Sequence, residues 1–340
     1  MHRPAFISRA LPVAVFALNL AWSCMLLGGE EKPPADPSAP EEAFPIVYGK
    51  GRLVCEVDAS VLSESSGVAC GRANPDIFWT HNDSGSRPVI HAINREGEIV
   101  ASYKVAGAAA RDWEDIASVS IGQRQGAAPR GLLLIADVGD NSRNRADCRI
   151  YLVDEPLLTP RAKAPAGTGD RGSRRDLPDT ERADVVAFTY EDGPHDCESV
   201  AVDPQTRCVY LVSKELLPPC KVYELPLPRE FRGARHPLVA KPIAELRIPL
   251  ATGMDISPDG RRAVIVTYGN AFEYCRTEGE SWKDAFARVP RGIAVPPRPQ
   301  GESICYGPDG ISLYLTSEVP GGKGKMPLFE VPAIAPTAPQ

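Results

Sequence analysis

Carboxylates recur in this chain at fixed slots of a short repeated phrase. Its strong copies are Glu64-Ser65-Ser66-Gly67-Val68-Ala69, Asp112-Trp113-Glu114-Asp115-Ile116-Ala117 and Asp196-Cys197-Glu198-Ser199-Val200-Ala201. Thr252-Gly253-Met254-Asp255-Ile256-Ser257 and Gln300-Gly301-Glu302-Ser303-Ile304-Cys305 are weaker copies. Side chains two apart on a strand point the same way. Glu64, Asp112 and Asp196 therefore form one column, and Ser66, Glu114, Glu198, Met254 and Glu302 a second. Crowded carboxylates repel one another, and their pKa values rise unless a cation, a base or water relieves them. Ca²⁺ takes about 6–8 oxygen ligands, which such a set can supply. Ca²⁺ or another divalent cation, held by Glu64, Glu114, Glu198 and Glu302, is one expectation. The other is a structural network in which the acids accept hydrogen bonds from Ser, Thr and backbone N–H groups next door.

Each phrase precedes a turn and then a short apolar strand ending in polar residues. An antiparallel second strand returns to the side on which the first began. That brings His81, Asn82, Asp83, Asp137, Asp140, Asn141, Lys214, Tyr268, Asn270 and Glu318 towards the acid columns. The expected ligand-binding set is His81, Asn82, Asp83, Asp112, Trp113, Glu114, Asp137, Asp140, Asn141 and Lys214. His81, with Asp83 two residues on, is a candidate proton carrier, and Glu114 is the other candidate catalytic group. A histidine packed within a sheet is the plainer account of His81. Trp113 can equally be sheet packing. There is no G-x-S-x-G, H-E-x-x-H or phosphate loop, so nucleophilic serine chemistry has no support.

Repeats of this size, each giving several short strands, are how a β-propeller looks in sequence. Five blades is the direct count. Six are possible if the long interval between Glu114 and Glu198 hides one. The turns Asn74-Pro75-Asp76, Pro204-Gln205-Thr206, Pro258-Asp259-Gly260 and Pro308-Asp309-Gly310 separate first from second strands. The weakest outer strand falls near Ala285–Val289, and the fifth repeat lacks an outer strand of its own. Arg52–Asp58 alternates suitably to fill that place, which would close an all-β ring from its N-terminal end.

The chain has 340 residues, enough for one large all-β domain, and 34 Pro with 29 Gly disfavour a helical bundle. A net charge of −6 leaves a nucleic-acid role without an electrostatic footprint. Arg3 and Arg9 precede an apolar run from Ala10 to Leu27, as in an export signal. Cys24 after Ser23 suits a lipoprotein. The run also approaches the ~20 residues of a membrane anchor. The expected layout is a signal or anchor over 1–29, a Pro/Glu-rich tether over 30–46, a propeller over 47–332 and a disordered tail over 333–340. A flexible insertion spans 157–182 within the propeller. Eight further cysteines in an exported chain suggest disulfides, with Cys197 and Cys220 as one arguable pair.

The stretch Glu64–Pro156 resembles a widespread group of exported bacterial propeller proteins of uncharacterised function. The resemblance rests on Glu64–Ala69, Trp79–Gly85, Asp112–Ala117, Asp137–Asn141 and Tyr151–Pro156, with Glu198–Ala201 and Gly301–Ile304 later in the chain. The E-x-S-G opening is distantly similar to the SdiA-regulated propeller family. The acid-lined mouth is similar in architecture to gluconolactonase-type propellers, which use a central divalent metal. The acid columns without a recognisable nucleophile, together with the export signal, lead to the expectation of a cell-envelope propeller, tethered at its N-terminus and monomeric, that binds a small-molecule or protein ligand, or a divalent cation, without turnover. A metal-dependent hydrolase and a protein-interaction scaffold are the alternatives. No organic cofactor is expected.

Overall fold

The structure, a computed structural model, describes residues 46–121, 130–158, 177–228 and 237–334. The apolar run, the tether up to Pro45, residues 159–176 of the insertion and the tail beyond Ile334 lie outside the described residues. Among the described residues, no helix is long and apolar enough to cross a membrane.

The fold is all-β and propeller-like, built from four-stranded units in which the chain steps from one edge to the other. In chain order the strands are β1 (Val47–Tyr48), β2 (Arg52–Asp58), β3 (Ser65–Cys70), β4 (Phe78–Asn82), β5 (Val89–Ile93) and β6 (Ile99–Lys104). Next come β7 (Trp113–Ser120), β8 (Gly131–Asp137), β9 (Cys148–Asp154), β10 (Asp184–Tyr190), β11 (Cys197–Val202), β12 (Cys208–Ser213), β13 (Cys220–Pro226) and β14 (Leu238–Leu246). The last are β15 (Ala251–Ile256), β16 (Arg262–Thr267), β17 (Ala271–Cys275), β18 (Arg291–Ile293), β19 (Ser303–Tyr306), β20 (Leu313–Thr316), β21 (Lys325–Val331) and β22 (Ala333–Ile334).

β3 to β6 form one sheet, β15 to β18 another, and β19 to β21 a third whose outer strand is β2. β7 to β10 and β11 to β14 are joined edge to edge, because β10 and β14 pair in parallel. Arg52–Asp58 thus pairs antiparallel with Lys325–Val331. The first strands contact one another in a closed cycle: β3 on β7, β7 on β11, β11 on β15, β15 on β19, and β19 back on β3. Five apolar clusters fill the spaces between neighbouring sheets. Strands of the inner cycle are covered on both faces, so β3, β11 and β15 are buried at every residue. Outer strands have one covered face, and β10 alternates accordingly.

Several expectations are corrected. Ala285–Val289 is not a strand: α1 (Trp282–Phe286) ends there, with the Ser281 side chain accepting from the Asp284 amide at its N-terminus. Trp282, Ala285 and Phe286 bury in the core between the third and fourth units, and the outer strand is β18. All eight described cysteines are free thiols. Cys197 and Cys220 open β11 and β13, which flank β12. Two strand spacings put them about 9.5 Å apart, beyond the reach of a disulfide. The end of the insertion is tied down, since the Thr180 amide donates to Lys104 O at 2.9 Å and Asp179 bridges β6 in parallel. Ala333 and Ile334 pair with Tyr48 and Val47, so pairing runs two residues past Pro332.

Candidate functional site

The phrase that carries the acids is a β-bulge. On β7, Trp113 pairs with Asp137 and Asp115 with Ala136, which leaves Glu114 without a partner on β8. On β11 the unpaired residue is Glu198, and on β3 it is Ser66. A bulge adds one residue to one strand and re-aims its side chain. On β15 the unpaired residue is Thr252, between Ala251 opposite Thr267 and Gly253 opposite Val266. The fourth copy therefore aligns two residues earlier than its sequence suggests. Thr252 takes the second-column place, while Met254 pairs with Ile265 and is buried in apolar core. Glu302 immediately precedes β19. Backbone bonds then close the starts of the first, second, third and fifth copies: the amides of Asp83, Val138, Lys214 and Glu318 donate to the carbonyls of Glu64, Asp112, Asp196 and Gln300 at 2.9, 3.1, 2.9 and 3.0 Å.

Carboxylate oxygens of Asp83, Asp112 and Glu114 lie within 4.8 Å of one another. Gly139 gives them room. A Cβ there would sit 2.2 Å from Glu114 Oε1 and 2.6 Å from Asp112 Oδ2. Ser66 Oγ donates to Glu114 Oε2 at 3.2 Å. Burial, with Glu198, Asp83 and Asp112 adding repulsion, pushes the Glu114 carboxyl well above its ordinary range. Burial likewise lifts Asp83 to about 6 and raises Asp112 against the pull of Arg145. Lys214 Nζ donates to Glu198 Oε1 and lies 5.2 Å from the centre of the Tyr268 ring. Burial opposes the Lys214 charge, but Glu198 and Glu302 outweigh it and raise its pKa. Burial lifts both Glu302 and Glu318 to about 8. Glu198 Oε2 is buried with no hydrogen-bond partner among the described residues.

Asp115, one residue along from Glu114, forms the floor. Its Oδ1 accepts from the Ile116 amide at 2.8 Å, and its Oδ2 from the amides of Val200 at 2.8 Å and Met254 at 3.2 Å. Those three amides occupy the same place after the bulge on β7, β11 and β15. The carboxylate therefore lies between three strands of the inner cycle.

The other expected residues fall elsewhere. His81 is fully buried, with the edge of its ring against Trp113 at 5.5 Å between centroids. Burial lowers its pKa to about 4, so it is neutral and packed between β4 and β7. Trp113 is also fully buried and donates from Nε1 to Ala109 O at 3.0 Å. Asn82 ties Val61 O to the Glu64 amide. Asp137 pairs with Arg145 at 2.8 Å in a buried ion pair. Asp140 accepts from the Arg145 amide at 2.8 Å, while Asn141 is exposed. Glu64 is exposed at the rim, near enough for its charge to act on Asp83 and Glu318. Of the expected set, Asp83, Asp112, Glu114, Glu198, Lys214 and Glu302 come together at the mouth. Glu155 of the Tyr151–Pro156 motif is a turn clasp, accepting from the amides of Arg72 and Ala73 at 2.8 and 2.7 Å and from Trp79 Nε1 at 3.0 Å. The binding set omitted Tyr268 and Glu318, although both end second strands. Arg298 was missed altogether. Its only sequence signal is a lone cation in the run Pro296-Pro297-Arg298-Pro299, just before the fifth copy.

No family model matches the chain, and no curated protein matches it. Among solved structures it is similar to a chain of the "Crystal structure of Nidogen/Laminin Complex", at 13% identity and a TM-score of 0.37, covering 74% of this chain and 72% of that one. A likeness at that level does not extend to chemistry.

Proposed function

We propose that this chain is an exported five-bladed propeller of the group its motifs resemble, and that it binds a divalent cation at the acidic mouth. The closed cycle of first strands, the five inter-sheet cores and the pairing of β2 with β21 support the blade count and the closure. One observation carries the cation: three carboxylates converge within 4.8 Å over a glycine that leaves them space. The unpartnered buried Oε2 of Glu198 adds a further oxygen in search of a positive partner. An all-oxygen donor set favours a hard cation, Ca²⁺ first. Binding is favoured over turnover because His81, the candidate proton carrier, is fully buried and neutral.

The test is the metal content of the full chain, with thermal melts in EDTA and in added Ca²⁺. A stoichiometric metal is expected, with a melt that falls on chelation. Ca²⁺ at a hundredfold over its Kd stabilises by about 2.7 kcal/mol. Glu114→Gln should lose most of that response. No metal and no shift in either direction would make the acids a structural network and end the cation reading.

A further inference from the structure

Arg298 stands in a place where a guanidinium should not stand alone. Nε, Nη1 and Nη2 are all sealed from solvent, and none has a hydrogen-bond partner among the described residues. A buried charge left unpaired is costly, by several kcal/mol, and this one carries five donors. Glu302 is the carboxylate whose charge acts on it. Even so, no hydrogen bond or ion pair joins the two.

The arm is held in place. Pro297 and Pro299 flank Arg298 and restrict its backbone. Pro296 rests on Gly51, where a Cβ would sit 2.5 Å from its Cγ. The guanidinium lies over Gly301, where a Cβ would be 2.6 Å from Nε and Nη2. Bare backbone under the charge, and prolines on either side of it, fix the group beside Glu302 with its donors unmet. A planar fork of N–H groups matches two oxygens of one anion.

We propose that Arg298 is the anion-binding arm of the mouth, holding an oxyanion, either a carboxylate or a phosphate group, beside the acidic cation site. This rests on the mouth being the binding site proposed above. The ligand would then carry an anionic group and reach the protein together with a divalent cation.

The test uses the full chain and isothermal titration with inorganic phosphate and with acetate, each in Ca²⁺ and in EDTA at constant ionic strength. The wild type should bind at least one of the two saturably. Arg298→Met should bind it at least about tenfold more weakly, with its melting response to Ca²⁺ unchanged. Gly301→Ala keeps the charge but pushes the guanidinium off its seat, since the added Cβ would lie 2.6 Å from Nε and Nη2, and should lose the anion in the same way. It also serves if Arg298→Met does not fold. Binding of phosphate alone would assign a phosphate-bearing ligand, and binding of acetate alone a carboxylate. If neither variant differs from wild type towards either anion, the proposal is overturned. An Arg298-dependent anion response without any Ca²⁺ response would remove the cation and leave the arm standing.

Discussion

Glu114, Asp83 and Asp112 are gathered where their ionised forms are disfavoured, and the bulge at Glu114 and the bare backbone of Gly139 are the local causes. The two buried histidines among the described residues show the opposite shift. Burial lowers both His81 and His91 to about 4, below the ordinary 6.5 of the imidazole in the unfolded chain. The unfolded chain then binds protons more readily than the folded one below about pH 6.5. Their contribution to stability is complete above that pH and is lost as pH falls towards 4. Each can account for up to about 3 kcal/mol across that window. His91 serves as the probe: its Nδ1 meets Ser102 Oγ at 2.8 Å, and the charge of His81 acts on it in the same direction as burial. Urea unfolding of His91→Gln at pH 7 and pH 4.5 should show a smaller loss of stability on acidification than wild type. Equal losses would mean that the imidazole takes up its proton in the folded state. The grouping of Glu114 with Asp83 and Asp112 was legible from acids recurring at fixed slots of the repeat, but the alternation that set the columns is broken by the bulges at Glu114 and Glu198. Arg298 was not legible, because its guanidinium is buried against the backbone of Gly301 while Pro296 is seated on distant Gly51, which no local pattern encodes.

Among the elements, Asp115 ties together the first strands of three units, β7, β11 and β15. Removing its carboxylate strands three buried amides, those of Ile116, Val200 and Met254. Asp115→Ala should therefore cost about 3–5 kcal/mol, far more than deletion of a solvated acid such as Glu64. A loss below about 1 kcal/mol in denaturant unfolding would show that other groups satisfy those amides. Asp255 makes a similar tie one sheet later, accepting from the Tyr306 amide at 2.8 Å. Neither role was visible in sequence, where both are only members of the repeated phrase. Most inner and middle strands were legible from apolar runs between turn residues. The fourth repeat was set two residues late because its bulge falls on Thr252, a residue that looks ordinary in a strand. The outer strand of that unit was misplaced for a related reason. Outer strands bury one face and pair on one side, so the Trp282–Phe286 turn, with its buried aromatics, gave the stronger apolar signal.

For the molecule as a whole, scaffold and acidic cluster are one construction: β7 and β11, which contact each other in the cycle of first strands, also carry the bulges at Glu114 and Glu198. Closure from Arg52–Asp58 was legible because the fifth repeat ended one strand short. The edge-to-edge joint between the second and third units was not, since parallel pairing of β10 with β14 leaves no turn between them. That joint comprises Phe188, Thr189 and Tyr190 opposite Leu238, Val239 and Ala240, continued by the Glu191 amide on Ala240 O. It has a kinetic consequence. Neither outer strand can fray without breaking the other's ladder, so their amide protons should exchange with solvent through one shared opening, slower than those of β18 at the free margin of its sheet. Measured by native-state hydrogen exchange, β10 and β14 protecting to the same free energy would mark these two units as a single eight-stranded cooperative block; independent fraying would mark the joint as a contact that forms last and yields first.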